Sequence, residues 1–297
     1  MDALRFLQLD VFCDQPGGGN PLGVVFGAHH WSAQAMQRFA TWTNLVETTF
    51  VLPPSLDGAS YRLRIFTPHR EIAFAGHPSV GSACAVLHEG VAEARDGLLH
   101  QQCDAGVLPL RVSGTGREVV LAVQAPAAQV LRTGLDADPG LAGLLDGIRL
   151  GPLPPAFVEG GRRWWLAEFA DEHALRGWHP DHAAIAALAH ASDSLGLCVF
   201  ARSDDPAFGL VVRAFPAGVG IVEDPASGAA NGLIGAYLAQ AEPEGPLASG
   251  YHVSQGREIG RDARMSVDID GDGTIWVGGR SHVVVSGTLD WPSAVDA

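Results

Sequence analysis

The chain has 297 residues, 47% of them hydrophobic, with 37 glycines, 19 prolines and a formal net charge of −14. That length suits two domains with ordinary cores, and the Gly and Pro content suits many turns and short strands rather than a helical bundle. The charge argues against a nucleic-acid partner, which would need clusters of Lys and Arg, and the absence of any lysine excludes a pyridoxal phosphate Schiff base.

An anionic small molecule stays open as a ligand, because backbone donors can hold it locally. The opening MDALRFLQLDVF has no basic segment followed by a long apolar core, and no apolar run reaches transmembrane length. The expectation is a soluble, cytoplasmic protein with no membrane partner.

In chain order, residues 6–12 read as a strand, Leu7, Leu9 and Val11 alternating with Gln8 and Asp10. A Gly-rich turn, Gly17 to Asn20, leads into Pro21 to Phe26 and predicts a hairpin. Ser32 predicts an N-cap for a helix with Met36, Phe39 and Ala40 on its apolar face. Residues 45–52 and 62–66 read as strands. Residues 133–155, rich in Gly, Pro and Leu, break the pattern, and the domain change is placed near residue 127. Residues 181–190 predict a short helix, and 197–200, 208–215 and 265–285 predict strands joined by turns.

Several motifs have plainer readings than their chemistry suggests. Cys13, Cys84, Cys103 and Cys198 are scattered and read as small buried hydrophobes in a reducing compartment. Asp268 to Gly273 resembles the start of a calcium loop, but the position that needs Glu is Gly279, so a turn between strands is expected. His179, His182 and His190 lack the spacing of a zinc site, and no metal is expected. Trp164-Trp165 fits a core strand.

The clearest organisational signal is an internal repeat. Pro78-Ser-Val-Gly81-Ser-Ala83 and Pro225-Ala-Ser-Gly228-Ala-Ala230 share P-x-x-G-x-A, 147 residues apart. Each follows an R-x-F strand, Arg64-Ile-Phe66 and Arg213-Ala-Phe215. Each repeat reads as strand, turn, helix. Proline favours the first helical position, so Asp224 is the expected N-cap before Pro225, with His77 in the equivalent place before Pro78. Helix starts present free N–H groups and a positive dipole end, and two facing across a cleft would cradle a carboxylate. Tightly packed core helices are the alternative.

Glu47 is a second, independent pointer. Alternation puts Leu45, Glu47, Thr49 and Val51 on one strand face, and both faces are largely apolar. A partly buried glutamate has its pKa raised towards neutrality, which suits a general acid/base. The alternative is an edge strand on which Glu47 faces water.

Taken together, Gly19-Asn-Pro-Leu22, Asn44-Leu-Val-Glu-Thr-Thr-Phe-Val51, Phe66-Thr-Pro68, Glu71 to Pro78, and Gly220 to Gly228 (GIVEDPASG) occur in that order, followed by Gln255-Gly256, Gly260-Arg261 and Val277-Gly-Gly279. The chain strongly resembles the phenazine-biosynthesis isomerase-like family, relatives of diaminopimelate epimerase, from about residue 5 to 289. The resemblance implies an α+β fold of two similar domains, each a mixed β-barrel-like sheet around a central helix, with the active site in the interdomain cleft. The domains would be 1–127, with a strand from about 282–297 returning to it, and 128–281. It also implies a homodimer, no cofactor, and Glu47, His77 and Asp224 as catalytic residues. Gly76, Ser227, Gly228 and Ala229 would bind the substrate carboxylate.

Two departures from family patterns stand out. The epimerase relatives carry cysteines at both helix starts, where this chain has Ala75-Gly76-His77 and Ser227-Gly228-Ala229, so a two-thiol racemisation is excluded. Ala229 stands where the isomerase-like family usually has serine. The expected activity is a proton shift on a small, possibly cyclic, carboxylate-bearing substrate, with Glu47 taking and returning the proton. A catalytically silent binding homologue and a single-base epimerase of an amino-acid derivative are the alternatives.

Overall fold

The computed structural model describes residues 4–292, which divide into two compact units. One runs to Gln124 and is taken up again from Gly278; the other is Ala125–Val277. Residues 293–297 of the expected returning strand lie outside the described residues. No helix among the described residues is long and apolar enough to cross a membrane.

The first unit contains β1 (Arg5–Val11), β2 (Asn20–Phe26), α1 (Ala33–Thr43), β3 (Glu47–Leu52), β4 (Tyr61–Phe66), β5 (Glu71–Ile72), α2 (Gly76–His88), β6 (Leu98–Cys103), β7 (Gly106–Ser113) and β8 (Val120–Gln124). The second contains β9 (Gln129–Thr133), α3 (Pro139–Leu144), β10 (Ala156–Gly160), β11 (Arg162–Glu168), α4 (Glu172–Gly177), α5 (His182–Ser192), β12 (Leu197–Arg202), β13 (Leu210–Phe215), α6 (Gly228–Ala241), β14 (Gly250–Gln255) and β15 (Ala263–Ile269). The chain then passes through β16 (Ile275–Gly279) to β17 (Ser281–Thr288), which pairs with β1 in the first unit.

The repeat is visible in the strand pairing. In the first unit β17, β1 and β2 pair antiparallel, β2/β3 parallel, β3/β4 antiparallel, β4/β6 parallel and β6/β7 antiparallel. In the second, β9, β10 and β11 pair antiparallel, β11/β12 parallel, β12/β13 antiparallel, β13/β14 parallel and β14/β15 antiparallel. One mixed sheet pattern is therefore used twice. In each unit one helix precedes the fourth strand of this pattern (α1, α5) and one follows the fifth (α2, α6).

Local chemistry explains the elements. Ser32 caps α1 by accepting the Ala35 N–H, and Asp181 caps α5 by accepting those of Ala183 and Ala184. Met36, Phe39 and Ala40 of α1 pack with Trp31, Phe50 and Phe66 in one cluster. Trp164 and Trp165 are both buried in β11, as a core strand requires. Helix α2 lies against β1, β2 and β3, and Gly81 permits the approach, since a Cβ there would sit 2.5 Å from Leu22 Cδ2 and 2.6 Å from Val11 Cγ2. Ser82 Oγ and Thr49 Oγ1, 2.8 Å apart, then tie α2 to β3.

Two expectations need correction. The helix starts do not follow the P-x-x-G-x-A register: α2 begins at Gly76 and α6 at Gly228, an offset of 152 residues. Ser227, not Asp224, is the N-cap of α6, because its hydroxyl accepts the Ala230 N–H. His77 and Pro78 lie inside the first turn of α2, where a proline costs no intrahelical hydrogen bond. In this register Glu71 matches Glu223, Gly76 matches Gly228 and Ser79 matches Asn231. The second correction concerns Asp10, expected on a polar strand face. It is buried, because its Oδ2 accepts the N–H groups of Gly17 (2.6 Å) and Gly19 (3.0 Å) and so closes the Gly-rich turn.

Candidate active site

The first unit builds its part of the site from strand register and one helix start. The β1/β2 pairing sets Asp10 opposite Pro21, and the parallel β2/β3 pairing sets Leu22 beside Glu47. Asn44, in the left-handed conformation, ends α1 and turns the chain so that Glu47 is the first residue of β3. His77, in the first turn of α2, brings Nε2 to 3.4 Å from Glu47 Oε2, with side-chain exposures of 8% and 13%. The two residues expected to share the chemistry in this unit are thus in contact and nearly removed from water.

Burial is the main influence on His77. It lowers the imidazole pKa from the ordinary value to about 3, and a hydrogen bond with the Pro21 backbone opposes only part of that effect. The ring is therefore neutral near pH 7. In the unfolded chain it would titrate near 6.5, so the unfolded state takes up a proton first as pH falls. Stability contributed by neutral His77 is complete above about pH 6.5 and is lost progressively towards pH 3. Between pH 6.5 and 4.5 the wild-type protein should lose up to about 1.4 kcal/mol more per pH unit than His77→Asn. Urea denaturation of both proteins across that range checks this; parallel stability curves would show that His77 is not held neutral.

The start of α2 is unusual in its donors. The N-cap, Ala75, has no side-chain cap, and Pro78 has no N–H. Helix geometry leaves the N–H groups of Gly76 and His77 without intrahelical acceptors. The start of α6 reaches the same donor arrangement differently. Ser227 Oγ takes the N–H of Ala230, the residue equivalent to Pro78, at 3.4 Å, and the Ser227 N–H is held by Gln255 Oε1 at 3.3 Å. The N–H groups of Gly228 and Ala229 remain, and Ala229 is exposed. Each helix start thus offers two leading amides.

Asp224 lies on the segment entering α6. Its N–H donates to the Ala214 carbonyl at 2.9 Å, its Oδ1 accepts the Ala226 N–H at 3.2 Å, and its carbonyl accepts from Gln255 Nε2 at 2.8 Å. Asp224, Ser227, Gly228 and Ala229 are therefore gathered on one stretch of the second unit, whereas in the first unit β3 supplies Glu47 and the start of α2 supplies Gly76 and His77. None of the three proposed catalytic positions is duplicated. In the register of the helix starts Asp224 matches Ile72 and His77 matches Ala229. Thr48 pairs with Phe66 as Leu197 pairs with Phe215, which puts Gly196 at the place of Glu47.

Behind each helix start is an ion pair that the R-x-F motif announced only in part. Arg64 binds Glu71 through Nε and Nη2, both at 2.6 Å, and Arg213 binds Glu223 the same way at 2.9 Å. Each guanidinium also lies over the Phe two residues on, 5.2 Å from the Phe66 ring and 5.1 Å from that of Phe215. The cysteines take no part in a thiolate site. Burial is the leading cause raising all four thiols, and Cys84, the most accessible, is raised to about 11. Asp10, Gln101 and Gln255 also build the site, and the sequence signals only two of them, through the Gly-rich turn after Asp10 and the Gln255-Gly256 pair.

One mixed sheet pattern used twice, with a donor-rich helix start in each unit, defines a duplicated α/β fold class. The family model described as "Phenazine biosynthesis-like protein" matches residues 9–288. The chain belongs to that family, and it is an isomerase. Among its relatives, "Antisense-enhancing sequence 1" of Schizosaccharomyces pombe is 33% identical over 291 residues, covering 95% of this chain and 97% of that protein. "Trans-2,3-dihydro-3-hydroxyanthranilate isomerase" of Pseudomonas aeruginosa is 32% identical over 292 residues, covering 94% and 99%. Among solved structures, a Bacillus anthracis phenazine biosynthesis protein of the PhzF family aligns with a TM-score of 0.82 at 25% identity, covering 97% of this chain and 99% of that one.

Proposed function

We propose that the protein moves a proton within a small carboxylate-bearing substrate without a cofactor, with Glu47 as the group that takes and returns it. The observation that carries this reading is the Glu47–His77 contact beside the leading amides of α2. Glu47 as carboxylate removes a proton from a carbon conjugated with the substrate's carboxylate or carbonyl. The electron pair left behind spreads into that conjugated system, and the amides of Gly76 and His77 stabilise the developing charge. With its own N–H engaged by the Pro21 backbone, neutral His77 offers Nε2 as an acceptor to the newly formed Glu47 carboxylic acid. Glu47 then delivers the proton to a different carbon, and the product has the composition of the substrate.

Asp224 and the amides of Gly228 and Ala229 are proposed to serve the same substrate, Asp224 by orienting it or assisting the second proton transfer. The name of one relative supports this choice of substrate class. A cyclic amino or hydroxy acid such as trans-2,3-dihydro-3-hydroxyanthranilate is the first compound to test. Ala229 removes one hydroxyl contact usual in the family, which favours a substrate that needs one polar partner fewer. A homodimeric, cytoplasmic enzyme is part of the same proposal.

Incubation of that compound with the protein in deuterated water, followed by proton NMR, tests the reading. The expected product is a constitutional isomer carrying solvent deuterium at the new C–H position. Inversion at one carbon without a change of constitution would instead make the protein a single-base epimerase. Saturable binding with no product from any cyclic acid would make it a silent binding homologue.

A further inference from the structure

The two helix starts share a feature that the catalytic residues do not: each is braced by a buried glutamine on a neighbouring strand. Gln255, the last residue of β14, is fully buried and bonds through both ends of its amide to the turn entering α6 and the first turn of that helix. Its Nε2 donates to the Asp224 carbonyl at 2.8 Å, and its Oε1 accepts from Ser227 N at 3.3 Å and from Asn231 Nδ2 at 2.9 Å. Asn231 Nδ2 also donates to the Ser227 carbonyl at 2.9 Å. Gly256 presses the next residue onto the same turn: its φ is +88°, and a Cβ there would lie 2.7 Å from the Pro225 carbonyl oxygen. In the first unit Gln101, on the equivalent strand β6, donates to Ser79 Oγ at 2.9 Å, and Ser79 donates to the Ala75 carbonyl at 2.9 Å. Ser79 is the residue equivalent to Asn231. Gln101 Oε1 is in turn held by Tyr61 Oη at 3.2 Å.

We infer that Gln255 and Gln101 are positioning residues, one in each unit, that fix the turns entering α6 and α2 so that only the leading amides of each helix are left for an anionic ligand. Gln255 does this directly, by consuming one main-chain N–H and one main-chain carbonyl. Gln101 acts through a single serine hydroxyl, so its loss is the milder of the two. A glutamine suits the task because it supplies a donor and an acceptor with no charge, and a buried carboxylate at either place would repel the anion. What the amides serve rests on the isomerase reading above; the bracing itself does not.

Residue-resolved amide hydrogen exchange of the full chain by NMR, together with steady-state kinetics on trans-2,3-dihydro-3-hydroxyanthranilate, tests the inference. In the wild-type protein Ser227 should exchange slowly, with Gly228 and Ala229 exchanging faster. Gln255→Met should speed exchange at Ser227 by about tenfold, the equivalent of one lost hydrogen bond, and lower kcat/KM by a similar factor. Tyr237→Phe removes a different buried bond in the same unit, to the Pro154 carbonyl, and should leave both quantities unchanged.

Gln255→Glu keeps an acceptor for Ser227 but loses the donor to Asp224 and adds charge. It should preserve Ser227 protection while raising KM about tenfold. Equal protection of Ser227, Gly228 and Ala229 in the wild type, or a Gln255→Met pattern indistinguishable from Tyr237→Phe, overturns the inference. If Gln255→Met does not fold, the wild-type pattern and Gln255→Glu decide. Absence of turnover by the wild type would count against the proposed substrate and proton shift alone, because exchange requires no substrate.

Discussion

Glu47→Gln is expected to lower kcat by about 10²–10⁴-fold, the usual contribution of a positioned proton-transfer group, with little change in KM. Glutamine has the size of glutamate and keeps a polar atom towards His77 Nε2, which lies 3.4 Å from the present carboxylate oxygen. What it loses is the ability to accept a proton from carbon. The amides at Gly76, His77, Gly228 and Ala229 are untouched by the change, so substrate binding should survive. A fall in kcat and kcat/KM together marks an interaction made only in the transition state. Steady-state kinetics, with a melting curve to show that the fold is intact, checks this. A kcat within about threefold of wild type would remove Glu47 from the mechanism.

Arg213→Met is expected to destabilise the protein by about 3–5 kcal/mol, the cost of leaving one member of a buried pair without its partner. The Arg213 and Glu223 side chains are only 7% and 5% exposed. The guanidinium also donates to the carbonyls of Leu175 (3.2 Å) and Trp178 (2.6 Å), which would lose their partner as well. The equivalent pair in the first unit, Arg64 and Glu71, is 17% and 27% exposed. Water can take over more of its solvation, so Arg64→Met should cost less, about 1 kcal/mol. Adding Glu223→Leu to Arg213→Met should restore part of the loss, since a packed apolar pair avoids the stranded charge. Urea denaturation followed by tryptophan fluorescence measures all three. Equal costs for Arg213→Met and Arg64→Met would show that burial does not set the difference.

Much of this site is legible in local sequence. Ser32 and Asp181 announce their helices because a cap is a contact between near neighbours. The turn at Gly17 to Asn20 announces a hairpin for the same reason, and the arginines before Phe66 and Phe215 mark the duplicated strands. The helix register departs from local preference, which favours proline at the first helical position and aspartate before it. The turn obeys longer-range contacts instead: Gln255 holds the Asp224 carbonyl from 31 residues away, and Ser227 supplies the cap. Asp10 departs from its local pattern in the same way. Alternation assigns it to a polar face, but the amides that satisfy it come from seven and nine residues further on. Pattern shows which residues are polar; it does not show which distant backbone group each one satisfies.

The pairing of β17 with β1 also bears on how the protein is made. Arg5 to Val11 leave the ribosome early, but their partners Ser281 to Thr288 follow only after the whole second unit has been synthesised. At translation speeds of about 5–20 residues per second, one edge of β1 waits on the order of tens of seconds for its neighbour. All residues of the second unit emerge before that edge is covered. The unit that carries Glu47 and His77 is therefore begun first and finished last, and during that interval its open strand edge is a template for wrong pairing.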